Sequence, residues 1–291
     1  MVQRKAGRTT SFPKIGKQII RQFFDHRVSK SACALAYNLL FAMFPFLIFI
    51  SNLLGLLDLN VNSIVTALRP WMPKDAVDLV GAYLNYVSDT SSTSLFWFSL
   101  GFTVFFPMRA ASGLMDNVRT AYQLGKPKNP VSYFMRQLIV TLALLAAVIF
   151  TLLLSTFGRR VLGMVVKWLP GLATLKTPHF LLTLWHYLRF VIVYVFVMLA
   201  LGLFYAAAQD KPQGLRAILP GILAASVGWV VVSMGFSFYV ENFSRYSIIY
   251  GALGAVIVLL TWLYMTALAL IMGAEINAAR KVVLENQCEE S

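Results

Sequence analysis

Three histidines, His26, His179 and His186, and twelve acidic residues are the groups in this 291-residue chain that could hold a metal or move a proton. Metal-assisted phosphodiester hydrolysis needs several such ligands close together. The histidines are scattered, and none belongs to an H-x-E or H-x-H pattern. Metal-free cleavage needs a paired acid and base, and no such pair stands out. No Walker-type phosphate loop, G-x-S-x-G elbow or H-E-x-x-H helix is present. The two cysteines, Cys33 and Cys288, fit neither a disulfide framework nor a metal motif. This reading predicts no enzyme, no catalytic residue, no metal site and no cofactor.

Charged groups set among apolar residues carry a different chemistry. In a membrane they are costly, and they serve a path, a partner or a pocket. Arg109 is the leading case. Asp116 lies two helical turns along and shares its face. Arg109 could bind a phosphate or carboxylate headgroup, pair with Asp116, or snorkel to the lipid surface. Glu275 and Asn277 stand near the end of the last apolar run, where Glu275 could pair with Arg109 or Arg119 or form a solvated helix end. Tyr37 and Asn38 fall at a comparable level in the first run, and an Asn there usually bonds another helix. The expectation is one polar pocket formed by Tyr37, Asn38, Arg109, Asp116, Asn117, Arg119, Glu275 and Asn277. Arg109 and Arg119 balance Asp116 and Glu275, so it would suit a zwitterionic or amphiphilic ligand. Arg189 is either a second charge of this kind or, with His186, a marker of the outer interface.

The elements that must position these groups are six long apolar stretches: residues 31–57, 94–115, 137–157, 190–208, 217–240 and 247–274. A hydrocarbon core about 30 Å thick needs about 20 mostly apolar helical residues. Five stretches reach that length without a charge, and the second does so by including Arg109. Either Arg109 lies inside the bilayer or that segment breaks near Pro107, whose missing N–H frees a carbonyl. The composition agrees: 58% hydrophobic, 13% charged, mean hydropathy +0.70. A typical soluble domain is about 25% charged.

The net charge of +13 sits mainly at the ends of the apolar runs, so membrane lipids rather than nucleic acid are the expected partners. Eight bases crowd the first thirty residues: Arg4, Lys5, Arg8, Lys14, Lys17, Arg21, Arg27 and Lys30. By the positive-inside rule this end is cytoplasmic, and six spans return the other end there too. Arg159, Arg160, Lys167 and Lys176 fall on the predicted outer side and run against that pattern. The first apolar run is too long for a signal-peptide core and is expected to stay as a span.

Between the spans, residues 12–30 read as an amphipathic interfacial helix, with Ile15, Ile19, Ile20, Phe23 and Phe24 opposite Lys14, Lys17 and Arg21. Residues 58–93 are expected to hold one short amphipathic helix. The stretch 159–178, with Trp168 and Pro170, suits an interface. Gly221, Ala225, Gly228 and Gly235 in the fifth span and Gly251, Gly254, Ala269 and Gly273 in the sixth allow close helix approach.

Residues 247–264, S-I-I-Y-G-A-L-G-A-V-I-V-L-L-T-W-L-Y, continue to L-I-M-G-A-E-I-N-A at 270–278. This run closely resembles the signature of the YihY/BrkB family of bacterial membrane proteins. Residues 34–45, A-L-A-Y-N-L-L-F-A-M-F-P, resemble that family's opening motif. The resemblance runs from about residue 15 to 280. It implies a six-helix protein of the bacterial inner membrane and no agreed activity. Family labels include an old ribonuclease name (ribonuclease BN), virulence or serum resistance, and a suggested link to envelope lipid export. The family has no established catalytic motif to carry over.

The expectation is an all-α, polytopic membrane protein with six transmembrane helices plus amphipathic interfacial helices. Its parts are a basic segment at 1–30, a transmembrane domain at 31–276 and a cytoplasmic tail at 277–291. The favoured function is transport or handling of a lipid or other amphiphile. With no ATPase motif, movement would be passive, gradient-driven or powered by a partner. The rival is a non-transporting scaffold for envelope assembly, and nuclease activity is disfavoured. A homo-oligomer or an envelope protein could be a further partner.

Overall fold

The computed structural model describes residues 12–56, 61–69, 72–88, 93–168, 178–210, 214–243 and 252–289. Within them the chain is helical, with no strand. The helices are α1 (Phe12–Asp25), α2 (Val28–Leu56), α3 (Val61–Leu68), α4 (Lys74–Ser88), α5 (Thr93–Ala121), α6 (Pro130–Trp168), α7 (Pro178–Ala207), α8 (Leu215–Phe243) and α9 (Ala252–Glu289).

Local sequence explains the ends. Arg27 turns α1 into α2 with φ of 50°, and its N–H donates to Phe24 O. After α5, the Leu124 and Gln123 amides close on the Arg119 and Thr120 carbonyls, with Gln123 at φ 53°. That pattern is a Schellman cap, with Gln where Gly is usual. Asn129 caps α6 through its side chain, which accepts from the Ser132 N–H, and Pro130 takes the first helical position.

The elements read from the sequence are refined in three places. The chain between the first two spans forms two helices, α3 and α4, because Pro70 and Pro73 stand between them and proline disfavours a continuous helix on its N-terminal side. The second apolar stretch does not break at Pro107; α5 runs through it for 29 residues. The last helix also continues past residue 276, to Glu289.

Among the described residues, four helical segments are long and apolar enough to cross a membrane: Val28–Ser51, Pro130–Thr151, Leu215–Val240 and Leu253–Glu285. Tyr194–Ala207 is a shorter apolar segment of α7. Their outer faces carry exposed apolar rows, such as Leu215, Leu219, Leu223, Val227 and Val231 along α8. Contiguous patches of that kind are rare on soluble monomers. Lipid contact accounts for them: this is a helical membrane protein.

α9 is the central element, packed along α8 and touching α1, α2, α4 and α5. α2 packs along α5, and α6 against α7. The α1 end of the bundle is filled by Val28, Leu35, Met115, Val118, Tyr205, Ile218 and Ile271. Toward the other end, Leu47, Ile50, Ile64, Val80 and Leu84 join α2 to α3 and α4. Backbones approach closely where Gly221 of α8 meets Gly273 of α9. A Cβ on either would collide with the other's carbonyl oxygen. Small residues make that approach possible, as in other membrane helix pairs.

Candidate functional site

The polar residues gather where α1, the α5–α6 turn and the α7–α8 turn meet α9. Glu275 sits on α9 and is 1% exposed. Its Oε1 lies 2.8 Å from His26 Nδ1 at the α1–α2 turn. Its Oε2 meets no protein donor among the described residues. Gln22, one turn before His26 on α1, is 2% exposed, and its amide also lacks a protein partner there. Ser29 Oγ and Tyr264 Oη are 2.8 Å apart and extend the same seam. α1 thus turns Gln22 and His26 to the bundle and leaves Arg21, Ile20 and Phe24 exposed.

A second node centres on Arg119, 4% exposed near the end of α5. Its Nη1 donates to Asp210 Oδ1 and to Ala208 O, both at 2.9 Å. Its Nη2 donates to Asp210 Oδ2 at 3.2 Å and to Gly125 O at 2.6 Å. The hydrogen bonds that Arg119 donates hold the Asp210 carboxyl below its ordinary range. Arg136 of α6 donates to Ala207 O and Gln209 O. Both guanidinium carbons lie within 5.7 Å of the Tyr133 ring centre. The Tyr133 hydroxyl donates to Asp116 Oδ1 at 2.8 Å.

The third node is Asn277, 3% exposed. Its Oδ1 accepts from the Gly221 N–H at 2.7 Å, and its Nδ2 donates to Ile218 O at 2.8 Å. Pro220 lies between those two residues of α8. Proline lacks an N–H and pushes the preceding turn's carbonyl aside. Asn277 therefore supplies from α9 hydrogen bonds that the disturbed turn of α8 can use.

The sequence-derived candidates thus divide. Asp116, Arg119, Glu275 and Asn277 lie at this end of the bundle, each held by a specific partner. Asn117 Nδ2 donates to Gly113 O of its own helix. Asn38 Nδ2 is 4.0 Å from where a Cβ on Gly113 would stand. Tyr37 is exposed and packs on the Phe41 ring. Arg109 is also exposed, with its guanidinium 5.6 Å from the Phe105 ring centre. Neither alternative for Glu275 holds: it pairs with His26 rather than with Arg109 or Arg119, while Arg119 pairs with Asp210. The α7–α8 turn brings Asp210 under α5, and α1 covers Glu275, which makes that residue buried rather than a solvated helix end. His26, Gln22, Tyr133, Arg136 and Asp210 complete the site and were not singled out as candidates. Helical spacing of Gln22 and His26 was available as a signal; Arg119 to Asp210, 91 residues apart, offered none. The side chains of Arg159, Arg160, Lys167, His179, His186 and Arg189, together with Trp71 and Lys176, lie outside the described residues.

These groups fix helix ends rather than converge on a reacting atom. Among the described residues no three His, Cys, Asp or Glu side chains come together. A different feature stands beside them. Between α6 and α7 runs an apolar groove of about 150 Å³, with Val140, Leu144 and Ala147 on one wall and Phe196, Leu199 and Leu203 on the other. Arg136 precedes Val140 by one turn, and its bonds to Ala207 and Gln209 place its guanidinium at that end of the groove.

The family model described as virulence factor BrkB matches residues 19–289, from within α1 to the last residue of α9. The chain belongs to the BrkB family. The BrkB match therefore includes His26, Arg119, Asp210, Glu275 and Asn277. One relative, the ribonuclease-like protein YfkH of Bacillus subtilis (strain 168), is 27% identical over 90% of this chain and 93% of its own. UPF0761 membrane proteins of Xanthomonas campestris pv. campestris (strain 8004) and Xanthomonas axonopodis pv. citri (strain 306) are each 27% identical over 95% of this chain. The chain spans 62% of the length of these Xanthomonas proteins. No solved structure matches.

Proposed function

We propose that this BrkB-family protein handles or moves a lipid or other amphiphile within the bacterial cytoplasmic membrane. The observation that carries the reading is the α6–α7 groove. Its walls are apolar along the part of α6 that is long and apolar enough to span. An acyl chain is the chemistry such a wall accepts without leaving a polar group dry. Arg136 at its end offers a positive charge to a phosphate or carboxylate at the depth where an amphiphile carries one.

The wider topology belongs to the same proposal. α5 and α7, at 29 and 30 residues, are about 44–45 Å long at 1.5 Å per residue and can serve as further spans, making six. The basic first thirty residues favour both termini of the chain facing the cytoplasm. The reading leaves the ribonuclease-like name with YfkH. None of the polar residues expected to form one pocket, from Tyr37 to Asn277, lines this groove.

Reconstitution tests it. Liposomes carrying a headgroup-labelled lipid are treated with an impermeant quencher. Wild-type protein is expected to expose inner-leaflet label faster than empty liposomes. Ala143→Trp, which fills the groove, is expected to abolish the gain while the protein stays folded. Exchange no faster than in empty liposomes would overturn the reading and favour a scaffold.

A further inference from the structure

A cleft of about 390 Å³ opens at the end of the bundle opposite α1. It is lined by Arg69 at the end of α3, Met72 and Lys74 leading into α4, Val77 and Asp78 on its first turns, and Ser237 of α8. Such a volume lies within the range of small-ligand sites, about 300–1,000 Å³.

Three features make it more than a surface dent. Its charged walls are unspent: among the described residues Arg69, Lys74 and Asp78 form no ion pair, although all three border one space. Its floor is apolar and fixed. Val77 is 1% exposed, and Met72 packs on the clusters that join α4 to α2 and α9. Its depth is defined by Ser237, one turn before the end of the apolar span Leu215–Val240. There hydrocarbon gives way to headgroups on that side of the membrane.

We infer that this cleft binds the phosphodiester headgroup of a membrane phospholipid. Arg69 offers planar paired donors to phosphate oxygens, and Lys74 adds a point charge beside it. Asp78 and Ser237 face what the phosphate bears, a hydroxyl or an ammonium. The two cations exceed the one carboxylate, so an anionic headgroup binds more tightly than a zwitterionic one. This inference rests on the amphiphile-handling reading above, and it adds a headgroup site at the far leaflet from Arg136.

Native mass spectrometry of the purified full chain in neutral detergent tests it, titrating short-chain phosphatidylglycerol. Diacylglycerol of the same chains and free glycerol phosphate form the comparison arms. The wild type is expected to retain one phosphatidylglycerol and no diacylglycerol. Arg69→Ala and Lys74→Ala, both at exposed positions, should each weaken retention about tenfold or more. Lys126→Ala with Lys128→Ala, at the other end, should leave it unchanged. Asp78→Asn should tighten phosphatidylglycerol and weaken phosphatidylethanolamine. Unchanged retention in the Arg69 and Lys74 variants overturns the site, as does an equal loss in the Lys126 and Lys128 pair. Binding of free glycerol phosphate as tight as the lipid overturns the lipid assignment. The same wild-type protein in the liposome assay separates the two ideas: lost binding with label exchange intact sinks this site alone, and binding without exchange sinks the transport reading alone.

Discussion

Arg119 holds both carboxylate oxygens of Asp210, at 2.9 and 3.2 Å, and so ties the end of α5 to the turn between α7 and α8. The same guanidinium satisfies the carbonyls of Gly125 and Ala208. Its partner's folded pKa lies below the ordinary value, because Arg119 donates to the charged form. The stabilisation from this pair is therefore fully present above the ordinary Asp range, about 3.9. It is lost as pH falls below that range through the lower folded value, since the unfolded chain takes up its proton first. Thermal unfolding in detergent between pH 7 and pH 3 should show an acid-side loss that is smaller in Asp210→Asn. An identical acid slope in both proteins would refute the linkage.

Removing Arg119 has a larger consequence than removing Asp210. Arg119→Met leaves two backbone carbonyls without their donor, and at buried Ala208 an unsatisfied acceptor costs about 1–3 kcal/mol. Asp210→Asn keeps the arginine and both of those bonds. The Arg119→Met Tm should therefore fall well below that of Asp210→Asn at pH 7. Equal losses would mean that the ion pair, and not the backbone contacts, is what Arg119 supplies.

Gly221 and Gly273 set a steric limit on the α8–α9 crossing. A Cβ on Gly221 would strike both the Gly273 carbonyl and the Asn277 side chain. Overpacking of this kind costs about 1–3 kcal/mol where backbones must separate. Gly221→Ala should lower stability in detergent by about that much, whereas Gly235→Ala, with nothing within 4 Å of its new Cβ, should be neutral or better. Similar stability of the two variants would show that the crossing can relax.

Much of this architecture was legible in the residues, and the reasons are specific. Apolar length alone located α2, α6, α8 and α9, because a hydrocarbon solvent forces long runs with unambiguous composition. The Gly221 and Gly273 contact was foreshadowed by small residues on two neighbouring runs. Pairings were another matter. Glu275 had several basic residues at a similar predicted depth, and composition gives no rule for choosing among them. Its actual partner, His26, lies 249 positions away and is delivered by the turn at Arg27. The pocket residues shared a depth, but depth says nothing about azimuth around a helix. Hence Tyr37 and Arg109 face outward while Arg119 and Glu275 face in. The two grooves were invisible for the same reason, since each is made by the facing walls of separate helices.

The contact between His26 and Glu275 yields the sharpest test of how α1 is held. Glu275 is enclosed, with one carboxyl oxygen on the imidazole and the other without a protein donor among the described residues. Replacing the imidazole removes the hydrogen-bond partner of that enclosed carboxyl, and leaving a buried polar group unpaired costs about 1–3 kcal/mol. Glu275→Gln changes the problem, because a neutral amide is less costly to bury than a charge. His26→Leu should therefore be strongly destabilising in the wild type and much milder in Glu275→Gln, with a coupling of about 0.5–3 kcal/mol in a double-mutant cycle. Protease accessibility of α1, cut near the Arg27 turn, should rise in the same order. Strictly additive effects, with α1 equally protected in all four proteins, would show that apolar contacts such as Phe23 against the core hold the helix and that the polar pair does not.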